Sequence, residues 1–257
     1  MSGFGILLRK ELLEAWRTRR LPVVAVLFLI VGIISPLTAR YLNEILTLAM
    51  GDQLPIALPD PSATMALEQL QKNLGQLGAL AAIALAMGSV SGELDRGTAA
   101  MVLAQPVGRP AFLAAKLLAI AAVLGIATLL ASAVAWIYTA VLFEPLPIGG
   151  WLAMAVLSWL ALTAWAALTF LASAATGSTM VAAGIGFVAL IGFSLLAIAP
   201  AIDRFLPTGL AVPAIALAAG GGAAVDGGRL ATAVIGTVTV CLAALAGAVV
   251  TFRHREL

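Results

Sequence analysis

Residues 117–143 read LLAIAAVLGIATLLASAVAWIYTAVLF, without one Asp, Glu, Lys, Arg or His. A helix needs about 20 predominantly apolar residues to cross a hydrocarbon core about 30 Å thick. A helix apolar on all sides is one that water does not reach on any face. Five further stretches qualify or nearly do: residues 21–39, 74–91, 151–174, 179–199 and 230–252. The break between the fourth and fifth spans rests on Ala175-Thr176-Gly177-Ser178, a small uncharged turn. The expected fold class is therefore an all-α membrane protein with six transmembrane helices in one domain over residues 1–257.

Composition agrees. The 257 residues are 62% hydrophobic and 10% charged, against about 45–50% and about 25% in soluble domains. A net charge of +2 leaves no footprint for nucleic acid. Cys241, the single cysteine, allows no internal disulfide and reads as a small hydrophobe. The first span ends in Pro36-Leu37-Thr38-Ala39-Arg40, a poor small-residue cleavage site, so it is expected to be retained.

Lys/Arg asymmetry sets the expected orientation. Ten basic residues fall on one side: Arg9, Lys10, Arg17, Arg19 and Arg20; Arg96, Arg109 and Lys116; Arg253 and Arg255. Arg40, Lys72, Arg204 and Arg229 fall on the other. The richer side is expected in the cytoplasm, with both termini. None of the six spans contains Asp, Glu, Lys, Arg or His. Ion-coupled transporters keep such groups at membrane depth despite their cost, which counts against a secondary transporter, pump or ion-selective channel. Small residues such as Gly184 and Gly186 fit close helix packing instead.

Three segments outside the spans carry information. Phe4, Leu8, Leu12 and Trp16 recur at i, i+4 and form an apolar stripe, with Arg9, Lys10, Glu14, Arg17 and Arg20 mostly opposite. This predicts an amphipathic helix over residues 1–20, lying in the interface with its basic residues toward lipid phosphates. Between the first two spans, prolines 55, 59 and 61 exclude a helix in the centre of the loop. Ser62 is placed to cap a short helix over residues 63–73 that leads into the second span. Residues 200–229 are apolar but broken by Pro200, Pro207, Pro213 and Gly220-Gly221-Gly222. They predict a re-entrant pair of half-helices, a conformation tolerated at membrane depth only under protein cover or along a cavity.

The loop over residues 93–110 is the most distinctive: Glu93, Asp95, Arg96, Gly97 and Thr98, then Met101, Val102 and Leu103, then Pro106, Arg109 and Pro110. Thr98 can cap a helix that Pro106 ends within two turns, and Pro110 suits the first turn of the next. A short apolar helix outside the membrane requires a partner surface. Catalytic chemistry has no footing. No Gly-x-x-x-x-Gly-Lys-Ser/Thr phosphate loop is present, His254 stands alone, and no acidic or sulfur cluster has metal-ligand spacing. Glu93 and Asp95 beside Arg96 read as an interfacial ion-pair group. Any energy from ATP must come through another chain.

Glu93, Gly97-Thr98, Leu103, Pro106, Arg109 and Lys116 together resemble the Glu-x-x-x-Gly-Thr…Leu…Pro-x-x-Arg…Lys stretch of ABC-2-type ABC transporter permeases. The opening Lys10-Glu11-Leu12 resembles theirs too, and Ala115 departs from a frequent glycine. The resemblance implies the transmembrane subunit of an ATP-driven exporter in the plasma (inner) membrane. It implies a permease dimer, homomeric or heteromeric, with two P-loop ATP-binding cassette subunits docked from the cytoplasm. ATP and Mg would bind those subunits, and no cofactor this chain. The helix from Thr98 would be the coupling helix between helices 2 and 3, contacting the ATPase through Glu93, Asp95, Arg96, Gly97, Thr98, Met101, Leu103, Pro106 and Arg109. The turn at 175–178 would be a second, smaller contact, and the amphipathic start an elbow helix. A non-transporting scaffold or accessory subunit is the alternative reading.

Overall fold

The computed structural model describes residues 3–50, 60–98, 108–220 and 225–253. Helix α1 spans Gly3–Arg17 and α2 spans Arg20–Met50, with Arg19 in the left-handed region at the corner between them. Helix α3, Ala63–Asn73, passes through a π-helical turn at Leu74–Gly78 into α4, Ala79–Met87. A bend at residues 88–90 separates α4 from α5, Ser91–Asp95. Then come α6, Arg109–Leu142; α7, Ile148–Thr176; and α8, Thr179–Leu196. A short α9, Pro200–Asp203, leads to a 3-10 turn at Pro207–Leu210 and to α10, Ala211–Ala218. Helix α11 is Gly227–Arg253. Among the described residues every regular element is helical, and six helical stretches are long and apolar enough to cross a membrane. They are α2, the α3–α5 rod, α6, α7, α8 and α11.

Local chemistry explains most boundaries. Ser62 caps α3 by accepting from the Met65 N–H at 3.3 Å. Pro110 sits in the first turn of α6, where its missing N–H costs nothing. Gly177 ends α7 at φ 69°, and Ser178 caps α8 by accepting from Val181 N–H. One boundary differs from the sequence reading. The first helix does not stop near residue 39 but continues to Met50, because Arg40 to Met50 holds no proline or glycine to break it. The second span follows directly from α3, as expected of a short helix leading into it. It is the continuation of α3, joined through the π turn, so one rod runs Ala63–Asp95.

Helix α7 is the centre of the bundle, touching α4, α6, α8, α10 and α11, and it buries Trp151, Met154, Trp165 and Phe170. In lipid there is no hydrophobic gain between helices, so close packing and interhelical hydrogen bonds hold them. Gly32 lies against the Ala131 carbonyl where a Cβ would not fit, which lets α2 lie along α6. The indole N–H of Trp159 donates to Ala121 O at 2.7 Å and that of Trp151 to Ser132 O at 2.9 Å. Ser158 donates to Gln71 Oε1 at 2.8 Å, and Asn73 to Ser35 Oγ at 2.9 Å. By contrast α8 buries only Ala182 and Gly186, leaving Val188, Ile191 and Leu195 exposed.

Residues 200–218 fold into three short helical elements. Gly220 turns with φ 81°, and Leu210, Ala214 and Ala218 are buried as α10 packs on α7 and α3. Asp203 anchors this stretch, accepting from Thr208 Oγ1 at 2.8 Å and pairing with Arg229 at 3.5 Å. Gly221 and Gly222 lie outside the described residues, as do the loop centre at 54–59 and His254.

Candidate functional site

At one end of the bundle Lys10, Glu11, Glu14, Glu93 and Lys116 converge. Lys116, on the second turn of α6, is 3% exposed. Its ammonium donates to Glu93 Oε1 at 2.6 Å, to Glu11 Oε2 at 3.0 Å and to Glu11 Oε1 at 3.1 Å. The Phe112 ring centroid lies 5.1 Å from it. Lys10 closes the group from α1, at 3.0 Å from Glu11, 3.3 Å from Glu14 and 3.5 Å from Glu93. Partial burial of Lys10 opposes its charged form. The attraction and hydrogen bond of Glu11, with Glu93 and Glu14 beside it, overcome that and raise its pKa above the ordinary lysine value. Its contribution to stability is therefore complete below the ordinary lysine pKa and is lost only as pH rises beyond it.

Such a buried group is weak as a source of net stability, because desolvation offsets most of the attraction. What it supplies is geometry. Three separate pieces of chain, α1, α5 and α6, must meet for its charges to be matched. The carboxylates of Glu11, Glu14 and Glu93 come within 4.8 Å of one another, a spacing that suits a cation. Two lysine ammoniums already stand among them and pair with both oxygens of Glu11 and one each of Glu14 and Glu93, while Glu93 Oε2 is buried without a hydrogen-bond partner among the described residues.

Two other contacts hold the frame of this site. Ser173 Oγ, near the end of α7, accepts from Ser91 N–H at 3.1 Å and Val90 N–H at 3.3 Å. It thereby satisfies the donors freed where α4 bends into α5. Ser91 Oγ lies 2.8 Å from Thr179 Oγ1, which ties the same bend to the start of α8. Arg109 donates to the terminal carbonyls of α11, Arg253 O at 2.9 Å and Phe252 O at 3.3 Å, while Phe112 stacks on Phe252 at 6.1 Å. Ser173→Ala removes the acceptor and strands two buried amides, which costs about 1–3 kcal/mol. Thermal unfolding in detergent is expected to show that loss, with Ser178→Ala at the exposed α8 cap falling by less.

The residues singled out in the sequence distribute unevenly. Glu93 is in the cluster. Asp95 and Arg96 are exposed beside it, Gly97 adopts φ 67° to end α5, and Thr98 donates back to Glu93 O at 3.3 Å. Arg109 faces the end of α11. Met101, Leu103 and Pro106 lie outside the described residues. Phe4 and Leu8 pack against the core, Leu12 is half-buried, and Trp16 is 62% exposed with Ile6 and Leu13. One expectation is corrected. Lys10 and Glu14 do not point away from the protein, because α1 turns its charged residues inward to meet Glu93 and Lys116. Periodicity identifies an apolar stripe but is blind to a buried ion-pair seam. The available signal was that Lys10-Glu11 and Glu93…Lys116 concentrate charge beside otherwise uncharged spans. Ser91, Ser173 and Thr179 carried no signal at all.

Six apolar crossings with charge confined to their ends define a multi-pass membrane protein. The profile of the ABC-2 family transporter proteins matches residues 6–203. The chain belongs to the ABC-2 transporter family, whose members are transport subunits rather than catalysts. It is also similar to the "uncharacterized transmembrane protein YxlG" of Bacillus subtilis (strain 168), 33% identical over 149 residues. That match covers 56% of this chain and 57% of the relative's length.

Proposed function

We propose that this chain is the permease subunit of an ATP-driven exporter, working as a dimer with two separate P-loop ATP-binding cassette subunits that bind ATP and Mg. The observation that carries this reading is the convergence of Lys10 and Glu11 with Glu93 and Lys116. The segment from 99 to 107 leaves α5 immediately beyond Glu93 and re-enters at α6 just before Lys116. A protein bound to that segment is thereby connected to three helices at once. The charged end faces the cytoplasm of the plasma membrane, as its excess of Lys and Arg requires, and α1 lies along the interface with Trp16 toward the lipid. The segment over residues 200–218 re-enters from the opposite side. The second permease chain seats on the sparsely covered α8, with Gly184 and Gly192 presented to it.

The test is co-purification with a P-loop ATP-binding subunit co-expressed with this chain, followed by ATP hydrolysis measurements. Met101→Asp and Leu103→Asp place charge on the apolar face proposed to dock. Each is expected to lower hydrolysis by the complex at least tenfold, or to release the ATPase. Hydrolysis unchanged in both variants would remove the docking role.

A further inference from the structure

A second site lies nearer the opposite end of the bundle. It is a cleft of about 390 Å³ between α3 with its π turn, α7, α8 and the Pro207–Ala218 segment. Its floor is apolar, made by Trp165, Leu190 and Ile215. Trp165 and Leu190 each lie eleven residues along their helices from the charged end, about 17 Å at 1.5 Å per residue. The floor therefore sits in the half of a ~30 Å hydrocarbon layer farther from that end. Gln76 enters from the π turn, and Lys72 and Glu68 follow about one and two helical turns further out. The wall thus grades from aromatic and aliphatic, through an amide, to one cation and one anion at the rim.

The π turn opens this wall. Gly75, Gln76 and Leu77 are exposed where the flanking Leu74 and Gly78 are buried, and a Cβ at Gly75 would meet nothing within 4 Å. A π bulge inserts one residue into a helix at a cost in regular hydrogen bonding and is found mostly at functional positions.

We propose that this cleft binds a single-chain zwitterionic amphiphile, of the lysophospholipid kind, with its chain against Trp165 and Leu190 and its head between Lys72 and Glu68. The volume lies toward the low end of the roughly 300–1,000 Å³ typical of small-molecule sites, which suits one chain rather than two. The opposite charges at the rim complement a head carrying both signs. This inference rests on the export reading and names the class of molecule exported.

The experiment uses the full chain in nanodiscs and a lysophosphatidylcholine carrying a diazirine in its acyl chain. Peptides covering residues 68–76 and 190–215 are expected to be labelled at least fivefold more than the exposed face of α11. Ala161→Trp, which fills the cleft, is expected to reduce that labelling to the α11 level. Glu68→Lys, at an exposed position and safe for folding, is expected to shift preference at least fivefold toward the anionic lysophosphatidylglycerol analogue. Labelling spread evenly over the lipid-facing helices, or no shift with Glu68→Lys, overturns the site. Labelling is read without the ATPase. Absence of specific labelling in a chain that does co-purify with an ATPase defeats the site alone, whereas specific labelling of a chain with which no ATPase co-purifies defeats the export reading alone.

Discussion

Lys116→Met is expected to be the most damaging single substitution at the charged end of the bundle. It leaves Glu11 and Glu93, whose side chains are 11% and 13% exposed, without their shared cation. Removing one partner of a buried ion pair costs about 3–5 kcal/mol, because the remaining charge stays desolvated. Lys10 can still reach both carboxylates, but from a side chain that is 41% exposed and therefore well screened. Thermal unfolding in detergent is expected to fall by roughly 10 °C, at a few degrees per kcal/mol for a chain of this size. Adding Glu93→Gln to Lys116→Met is expected to recover part of that loss, because Glu11 retains Lys10 as a partner. A double variant no more stable than Lys116→Met alone would show that packing of the lysine stem, and not charge matching, governs the position.

Gly150→Val tests the other end. A Cβ on Gly150 would overlap the carbonyl of Leu217 and press on the Ala218 backbone, so α10 cannot stay seated on α7. Backbone on one side and a fully packed helix on the other leave no rotamer by which to escape. Overpacking of this kind costs about 1–3 kcal/mol or more. The expected result is a lowered thermal midpoint together with new protease cleavage near Gly220, as α10 lifts away. Gly149 is the internal control, since a Cβ there meets nothing within 4 Å. Gly149→Val is expected to behave as the parent, and equal damage from both would point to helix propensity at the start of α7 instead.

The crossings were legible because hydrocarbon imposes a coarse rule: length and the absence of charge suffice, as in residues 117–143. Short-range chemistry was legible too, in Ser62, Pro110 and Gly177, each acting within a few residues of its position. The extension of α2 to Met50 escaped because a membrane boundary is not a helix boundary. The lead from α3 into the second span was legible, since Lys72 and Asn73 do not break the backbone, whereas the π turn that makes the join was not. At the candidate site, Glu93 and Arg109 stood out through the resemblance of the 93–116 stretch to the family's motif. Their actual neighbours, Glu11 at a separation of 105 residues from Lys116 and Phe252 at 143 from Arg109, are set by tertiary packing. No local pattern encodes such pairs.

Glu93 and Lys116 also join two points 23 residues apart in the chain, and between them lies everything from α5 to the second turn of α6. The pair rivets the start of α6 to the end of the α3–α5 rod, Glu11 adds α1, and Arg109, on the first turn of α6, adds the end of α11. Four helical pieces are thus fastened at one point, and a displacement of any one of them at this end strains the pairing of the others.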